Sequence, residues 1–274
     1  MKNILRDFTT HWRALANTGP MMRLPKTMLR SVGFDLVRLS GNGDAIGNPV
    51  EDLSSGDQAI LWKVKPFTLT GVERIAALLE AVGYVTDRKI PGDIAECGVW
   101  RGGSMMAVAL ALMARGDVSR SLYLYDTFEG MSAPTADDTL ADGRTAAELL
   151  KLDAPGTGVW CNASLEDVRK NMLLTGYPLD KIHFIKGKVE ETIPGTLPGH
   201  LALLRLDTDW YESTKHELQH LFPLLDARGV LILDDYGTWQ GARKAVDEYL
   251  SEKKRSDYLH RIDATGRMLV RTGS

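Results

Sequence analysis

The sequence is poor in cysteine and contains no long apolar run. Its two cysteines, Cys97 and Cys161, lie in or beside apolar segments without a CxxC spacing, which predicts reduced, buried thiols rather than a disulfide. No window approaches the roughly 20 apolar residues of a membrane span. The first residues also lack the apolar stretch of a signal peptide. We therefore expect a cytoplasmic protein with no membrane span.

An excess of charge of one sign is also missing. The 33 basic and 36 acidic residues give a net charge of −3, so no broad basic face is expected and nucleic acid is excluded as a partner.

The 44% apolar content over 274 residues is enough to bury one sizeable core. We expect an N-terminal helical extension over residues 1–60, serving as a lid or an oligomer contact, and a main domain over residues 61–274.

From residue 70 onwards, helical and strand patterns alternate. Apolar residues recur at helical spacing after Thr70, and further helices are predicted at 104–114, 164–174, 213–225 and 241–253. Between them lie short apolar strands, followed by a predicted hairpin at 259–272. The five predicted strands are Asp93–Cys97, Leu122–Asp126, 182–185, Leu201–Leu206 and 230–233. The alternation predicts an α/β fold, a mostly parallel sheet with helices on both faces.

Acidic residues lie at or just beyond the ends of these strands. They are Glu96, Asp126, Asp207, Asp234 and Asp235. Ligands of such sheets bind beyond the carboxyl ends of the strands. Carboxylates gathered on one edge repel each other unless a cation or hydrogen-bond donors hold them, so this crowding is the main functional signal.

The first strand ends in a glycine-rich loop that differs from a dinucleotide fingerprint. The loop 98–103 is not GxGxxG, and Glu96 precedes it. A carboxylate there disfavours a pyrophosphate and favours a cationic amino-acid moiety, as in S-adenosylmethionine. Asp126 ends the second strand, where a carboxylate can accept both ribose hydroxyls. Two alternatives stay open: Glu96 forms a buried ion pair with Arg101, or Asp126 is an N-cap.

The ends of the fourth and fifth strands predict a metal site. Asp207, Asp234 and Asp235 follow these strands with no His or Cys nearby, a donor set that suits magnesium, with manganese or calcium as alternatives. A divalent cation lowers the pKa of a bound oxygen, and a nearby carboxylate base helps to deprotonate a hydroxyl. The alternative is that acids such as Asp209 and Asp235 only cap helices.

Four runs together resemble the macrocin O-methyltransferase (TylF) family. They are ECGVWRGGSM (96–105), YDTFEGM (125–131), RLDTDWYEST (205–214) and LDDYG (233–237). The resemblance covers roughly residues 65–270. It implies a class I methyltransferase (Rossmann-like) fold with a seven-stranded sheet, and magnesium-dependent methylation of a sugar hydroxyl on a glycosylated natural product. It also implies a homo-oligomer.

The resemblance implies roles for individual residues. The metal ligands of the family correspond to Asp207, Asp234 and Asp235 in this sequence, and the general base of the family corresponds to Asp207. Distant catechol O-methyltransferases have a lysine three residues after the first metal ligand, where this chain has Trp210, so a lysine base is not expected. The implied S-adenosylmethionine contacts are Thr70, Glu96, Gly98, Arg101, Gly103, Ser104, Asp126, Thr127, Phe128, Ser164, Gly187, Lys188 and Asp207.

Other functions remain alternatives at this point. The methyl acceptor could instead be a cell-surface glycan or a small phenol. A nicotinamide-dependent oxidoreductase could use the same sheet, although the GxGxxG fingerprint is absent. A binding protein that retains only the fold is the third alternative, and the presence of all three metal carboxylates argues against it.

Overall fold

The computed structural model describes residues 50–152 and 161–273. Within them, seven strands form one sheet in the order β3-β2-β1-β4-β5-β7-β6. The strands are β1 (Asp93–Cys97), β2 (Leu122–Asp126), β3 (Ile182–Lys186), β4 (Leu201–Leu206), β5 (Leu225–Leu233), β6 (His260–Arg261) and β7 (Arg267–Val270). β1 to β5 are parallel, β7 pairs antiparallel with β5, and β6 pairs antiparallel with β7. The predicted mostly parallel seven-stranded sheet is confirmed.

The helices cover both faces of this sheet. They are α1 (Ser55–Val64), α2 (Val72–Asp87), α3 (Gly103–Ala114), α4 (Ala146–Leu152), α5 (Leu165–Leu173), α6 (Val189–Thr192), α7 (Tyr211–His220) and α8 (Gln240–Glu252). Buried side chains of α1, α2, α3 and α5 pack on one face, and those of α6, α7 and α8 pack on the other. Successive strand residues alternate between these two cores, so Leu203 faces the first core and Leu204 the second.

The structure corrects two predicted boundaries. Helix α7 ends at His220 rather than at Leu225, and a short 3-10 helix, Phe222–Leu224, follows it. Proline cannot donate a backbone hydrogen bond, and Pro223 lies in that 3-10 turn. Strand β5 therefore begins at Leu225, five residues before the predicted start.

The predicted N-terminal extension lies mostly outside the described residues. Its last part is described: α1 crosses the expected boundary at residue 60, and Leu61 and Val64 are buried in the same core as the sheet. Val50 and Leu53 belong to that core as well. The role of residues 1–49 as a lid or oligomer contact stays a prediction.

Candidate active site

A cavity of about 250 Å³ opens at the carboxyl ends of the parallel strands. All five parallel strands contribute to its wall through residues that follow them or end them: β1 through Gly98, β2 through Asp126, β3 through Gly187, β4 through Asp207 and β5 through Asp234. Its other described lining residues include Thr68, Leu69, Thr70, Arg74, Val99, Trp100, Ser104, Thr127, Met131, Ser132, Lys188, Glu190, Thr208 and Asp209. The cavity therefore lies where ligands of parallel sheets bind.

Two glycines let the loop after β1 pass close to neighbouring backbone. Gly98 has a φ of +79°, and a Cβ there would lie 1.9 Å from the carbonyl oxygen of Asp207. A Cβ on Gly103 would lie 2.5 Å from the carbonyl oxygen of Phe67. Only glycine, which has no Cβ, avoids these clashes. Gly98 therefore lets the backbone after β1 pass close to the backbone after β4, and Gly103 lets the start of α3 pass close to Phe67.

Strand parity directs the acidic residues to one face of the sheet. Glu96 of β1 and Arg205 of β4 are paired across the two strands, and partners on neighbouring strands point to the same face. Asp207 lies two residues after Arg205, so its side chain has the same orientation. The backbone N–H of Asp234 donates to the carbonyl of Leu206, which places Asp234 beside Asp207.

Arg205 is the buried centre of this acidic edge. Its side chain is 3% exposed and donates from Nη1 to Glu96 Oε1 and to Asp207 Oδ2, the latter at 2.7 Å. Its Nη2 donates to Thr70 Oγ1 at 2.9 Å and to Asp234 Oδ1. The guanidinium thus neutralises part of the repulsion among carboxylates from three strands.

Arg74 of α2 approaches the same carboxylates from the helix side. It forms an ion pair with Asp234 Oδ2, and its Nε lies 3.1 Å from Asp263 Oδ2. Asp234 therefore faces two guanidinium groups, Arg205 at one oxygen and Arg74 at the other.

Glu96 is almost fully buried, at 1% exposure. Burial raises its pKa to about 7, although the Arg205 charge acts in the opposite direction. Its Oε2 atom is buried and has no hydrogen-bond partner in the part of the chain that the structure describes. The alternative pairing with Arg101 is not observed, because Arg101 instead pairs with Asp167 at 2.8 Å. An unpartnered carboxylate oxygen at this position is costly unless a ligand donates to it.

Asp126 holds the glycine-rich loop against the end of β2. Its Oδ2 accepts the backbone N–H of Val99 at 2.8 Å and that of Trp100 at 3.1 Å, and its Oδ1 accepts the N–H of Phe128 at 2.7 Å. Burial raises its pKa, and these bonds oppose the increase. Asp126 thus does order the turn that follows it. Its Oδ2 already accepts two bonds, and the second bond to its Oδ1, from Thr127 Oγ1, is long at 3.4 Å.

The three predicted metal carboxylates come together. Asp207, Asp234 and Asp235 each offer an oxygen, and these three atoms lie within 4.8 Å of one another. Burial, and then repulsion from Asp209 and Asp207, holds the pKa of Asp235 well above its usual value. Three converging carboxylates without nitrogen or sulfur donors match the preference of magnesium, manganese and calcium.

The helix-cap alternative for these acids is not what the structure contains. At the start of α7, the backbone N–H of Tyr211 donates to Asp138 Oδ1 at 2.7 Å. At the start of α8, the N–H of Gln240 donates to the carbonyl of Thr139. Asp209 instead accepts from the indole Nε1 of Trp239 at 2.8 Å, and burial raises its pKa to about 7. The acids that follow β4 and β5 are therefore directed at each other rather than at helix ends.

Most of the predicted cofactor residues lie on the cavity wall. Those on the wall are Thr70, Gly98, Ser104, Asp126, Thr127, Gly187, Lys188 and Asp207. Five others are not among the described lining residues: Glu96, Arg101, Gly103, Phe128 and Ser164. Phe128 is buried, and Ser164 caps α5 by accepting the N–H of Asp167. Asp235 also stands behind the wall, beside Asp209.

The two arginines of the site, Arg205 and Arg74, were not among the predicted site residues. Arg205 carried a signal: it is a lone charge in the apolar strand LALLRL and has the same parity as Asp207. Arg74 carried none, because its position on a helix does not reveal which strand ends it approaches. Asp138 was missed as well, since its partner Tyr211 is 73 residues away in sequence.

Comparison with known proteins decides the family. Residues 18–271 match the sequence profile of macrocin-O-methyltransferase (TylF). The chain belongs to this family. It is accordingly an S-adenosylmethionine-dependent O-methyltransferase, and its sheet is that of the class I methyltransferases, as the four motifs predicted.

Relatives of the family cover three quarters of the chain. One is the 8-demethyl-8-(2,3-dimethoxy-alpha-L-rhamnosyl)-tetracenomycin-C 4'-O-methyltransferase of Streptomyces olivaceus, 37% identical over 205 residues, or 75% of this chain and 76% of that protein. Another is the mycinamicin III 3''-O-methyltransferase of Micromonospora griseorubida, 32% identical over 73% of this chain and 76% of that protein. The solved structure of the O-methyltransferase NovP is 30% identical with a TM-score of 0.67, covering 76% of this chain and 83% of that one.

Membership of the family removes the oxidoreductase and the binding-protein alternatives. The oxidoreductase-like spacing Tyr-x-x-x-Lys does occur three times, at Tyr177 and Lys181, at Tyr211 and Lys215, and at Tyr249 and Lys253. None of these six residues is among the described lining residues of the cavity. Within residues 50–152 and 161–273, every helix is too short or too polar to cross a membrane.

Proposed function

We propose that this methyltransferase transfers the methyl group of S-adenosylmethionine to a sugar hydroxyl of a glycosylated small-molecule natural product, with a divalent cation, magnesium by default, beside that hydroxyl. The observation that carries the proposal is the meeting of three carboxylates, two of which, Asp207 and Asp234, line one cavity. The tetracenomycin relative supports a sugar acceptor, because its name places the methylated position on a rhamnosyl-bearing antibiotic.

The cofactor end of the cavity fits S-adenosylmethionine in charge. The buried Oε2 of Glu96 lacks a donor among the described residues, and the ammonium of the cofactor would supply one. Asp126 lines the cavity at the end of the next strand, and a ribose hydroxyl would replace the long bond that its Oδ1 accepts from Thr127 Oγ1 at 3.4 Å. When bound, the cofactor supplies an electrophilic methyl group, and the chain's part is to orient it by these contacts and by the Gly98 loop.

The metal end fits a hard cation in donor type and spacing. Asp207, Asp234 and Asp235 would hold it, because oxygen ligands within 4.8 Å of one another can share one ion. A bound divalent cation would lower the pKa of a hydroxyl oxygen that it contacts. The bonds from Arg205 occupy only part of the acceptor capacity of Asp207 and Asp234, since each carboxylate oxygen accepts twice.

Asp207 is the proposed proton acceptor. Arg205 Nη1 occupies its Oδ2 at 2.7 Å, which leaves Oδ1 to accept the proton of the sugar hydroxyl. Asp207 also lines the cavity, as a base that touches the acceptor must. Asp209 is the alternative base, because it lines the same wall and burial raises its pKa.

An acceptor panel tests the proposal. We expect methyl transfer from labelled S-adenosylmethionine to a rhamnosylated polyketide, with loss of activity in EDTA and recovery on adding magnesium. The other methyl acceptors in the panel are the matched aglycone, a free phenol and a bacterial surface glycan. Faster transfer to the phenol or the glycan than to the glycoside would contradict the sugar assignment, and full activity in EDTA would contradict the metal.

The expected homo-oligomer remains a proposal too. It rests on the family resemblance, and light scattering of the purified chain at several concentrations tests it. A mass of 30.3 kDa at every concentration would show a monomer.

A further inference from the structure

Arg205 contacts both halves of the proposed site at once. Glu96 belongs to the cofactor end, whereas Asp207 and Asp234 belong to the metal end, and one guanidinium donates to all three. A fourth bond, to Thr70 Oγ1 at 2.9 Å, fixes the plane of the guanidinium. Within the described residues, no other cationic side chain is recorded in contact with carboxylates at the ends of both β1 and β5.

We propose that Arg205 is the positioning residue of the active site, which sets the spacing of the carboxylates so that the cofactor and metal ends form as one unit. The inference rests on the proposed function. Arg205 holds Asp207 by Oδ2, which leaves Asp207 Oδ1 for the cation, and it holds Asp234 by Oδ1, while Arg74 pairs with Asp234 Oδ2. Each oxygen of Asp234 can accept a second contact, so the orientation that the two arginines impose decides where Asp234 can meet the cation. The shared bond to Glu96 ties the cofactor end to the same group.

The guanidinium is suited to this task and an ammonium is not. Arginine is planar with donors in a fixed fork, so it can direct several carboxylates in defined directions. Lysine carries the same charge on a single rotatable nitrogen. Arg205→Lys therefore keeps the charge of the site and removes its geometry.

A role as a mere counter-charge predicts a different result. If Arg205 only neutralised the acids, Arg205→Lys would leave cation affinity unchanged, and Arg205→Gln would strengthen it by removing a repelling positive charge. If Arg205 positions the acids, both substitutions weaken cation binding. The two roles are thus separated by the sign of the effect, independently of any loss of stability.

The experiment measures binding of Mn²⁺ and of S-adenosylhomocysteine, the product form of the cofactor, by calorimetry well below the unfolding temperature. For Arg205→Lys we expect Mn²⁺ affinity to fall roughly 10–100-fold, the usual effect of losing a group that orients metal ligands, and S-adenosylhomocysteine affinity to fall with it. The control is Arg120→Lys, which alters another buried arginine, paired with Asp117 before β2 at the opposite end of the strands. Both affinities should be unchanged there.

A second variant is available if Arg205→Lys does not fold. Thr70→Val removes the bond that fixes the guanidinium plane. Because Thr70 also lines the cavity, the readout for this variant is Mn²⁺ binding alone, which we expect to be roughly two- to tenfold weaker, the scale of one hydrogen bond. Unchanged Mn²⁺ affinity in the folded variants, or stronger binding in Arg205→Gln, overturns the positioning role. If the parent chain itself binds no Mn²⁺, the proposed metal site fails instead, and the two failures are distinguishable.

Discussion

Replacing Asp207 by asparagine separates its two proposed tasks, metal ligand and base. Arg205 Nη1 lies 2.7 Å from Asp207 Oδ2, and a guanidinium can only donate. In Asp207→Asn the amide oxygen must therefore turn toward Arg205, which leaves the NH₂ group facing the cavity. The NH₂ group cannot accept a proton, whereas the amide oxygen keeps a second acceptor position with which it can still contact the cation. We therefore expect kcat to fall roughly 10²–10⁴-fold, the contribution of a positioned base, and not to recover at high magnesium.

Asp235→Asn is the matched comparison. Asp235 Oδ2 accepts the backbone N–H of Asp209 at 3.2 Å, a bond that an amide oxygen preserves while one negative charge is lost. We expect weaker metal binding and activity that recovers largely at high magnesium. Because Asp235 stands behind the cavity wall, this variant changes the metal without removing the base.

The assay follows transfer of a labelled methyl group at saturating S-adenosylmethionine while magnesium is increased. Melting temperatures of both variants without ligand serve as the folding control. If excess magnesium restores Asp207→Asn as fully as Asp235→Asn, Asp207 is a ligand only. Asp209→Asn would then be the next variant, since Asp209 is the other acid on the wall.

Three further predictions concern binding, pH and the N-terminus. Asp126→Ala should weaken S-adenosylmethionine by about 1–3 kcal/mol, the scale of charged hydrogen bonds, and unchanged affinity in calorimetry would refute the ribose contact. For Asp257, burial alone would raise the pKa, but bonds from Arg255 and from Thr272 lower it to about 2. An acid whose pKa is lower in the folded than in the unfolded chain stabilises the fold at pH values above its unfolded pKa, here about 4. Asp257→Asn should therefore melt at a lower temperature than the parent at pH 7. The difference in melting temperature should vanish as the pH falls from about 4 to about 2. Deleting residues 1–49 should leave a folded chain that binds cofactor and turns over poorly, because the described core begins at Val50; unfolding of the truncated chain in circular dichroism would contradict this.

The positions of the strands and of the acids at their ends were predictable from the sequence. Hydrophobic period and length decide where short buried strands lie, and β1, β2 and β4 have the predicted bounds. The carboxyl ends of parallel strands share one edge, so Asp207, Asp234 and Asp235 could be expected to meet. The helix before β5 was predicted too long because apolar residues continue past Pro223 without a change of period.

The tertiary structure alone decided which groups hold these acids. Glu96 and Arg205 are 109 residues apart, and no local pattern reveals that β4 pairs with β1 rather than with the strand that precedes it in sequence. Likewise, α2 brings Arg74 to Asp234 across 160 residues. The spacing of apolar residues along a short segment indicates which of its residues are buried and on which face, because this burial depends on the segment's own side chains. The pairing of one buried charge with another depends on strand order and helix packing, which are set by the whole core, and so the hydrogen-bond network around Arg205 exists only in the folded chain.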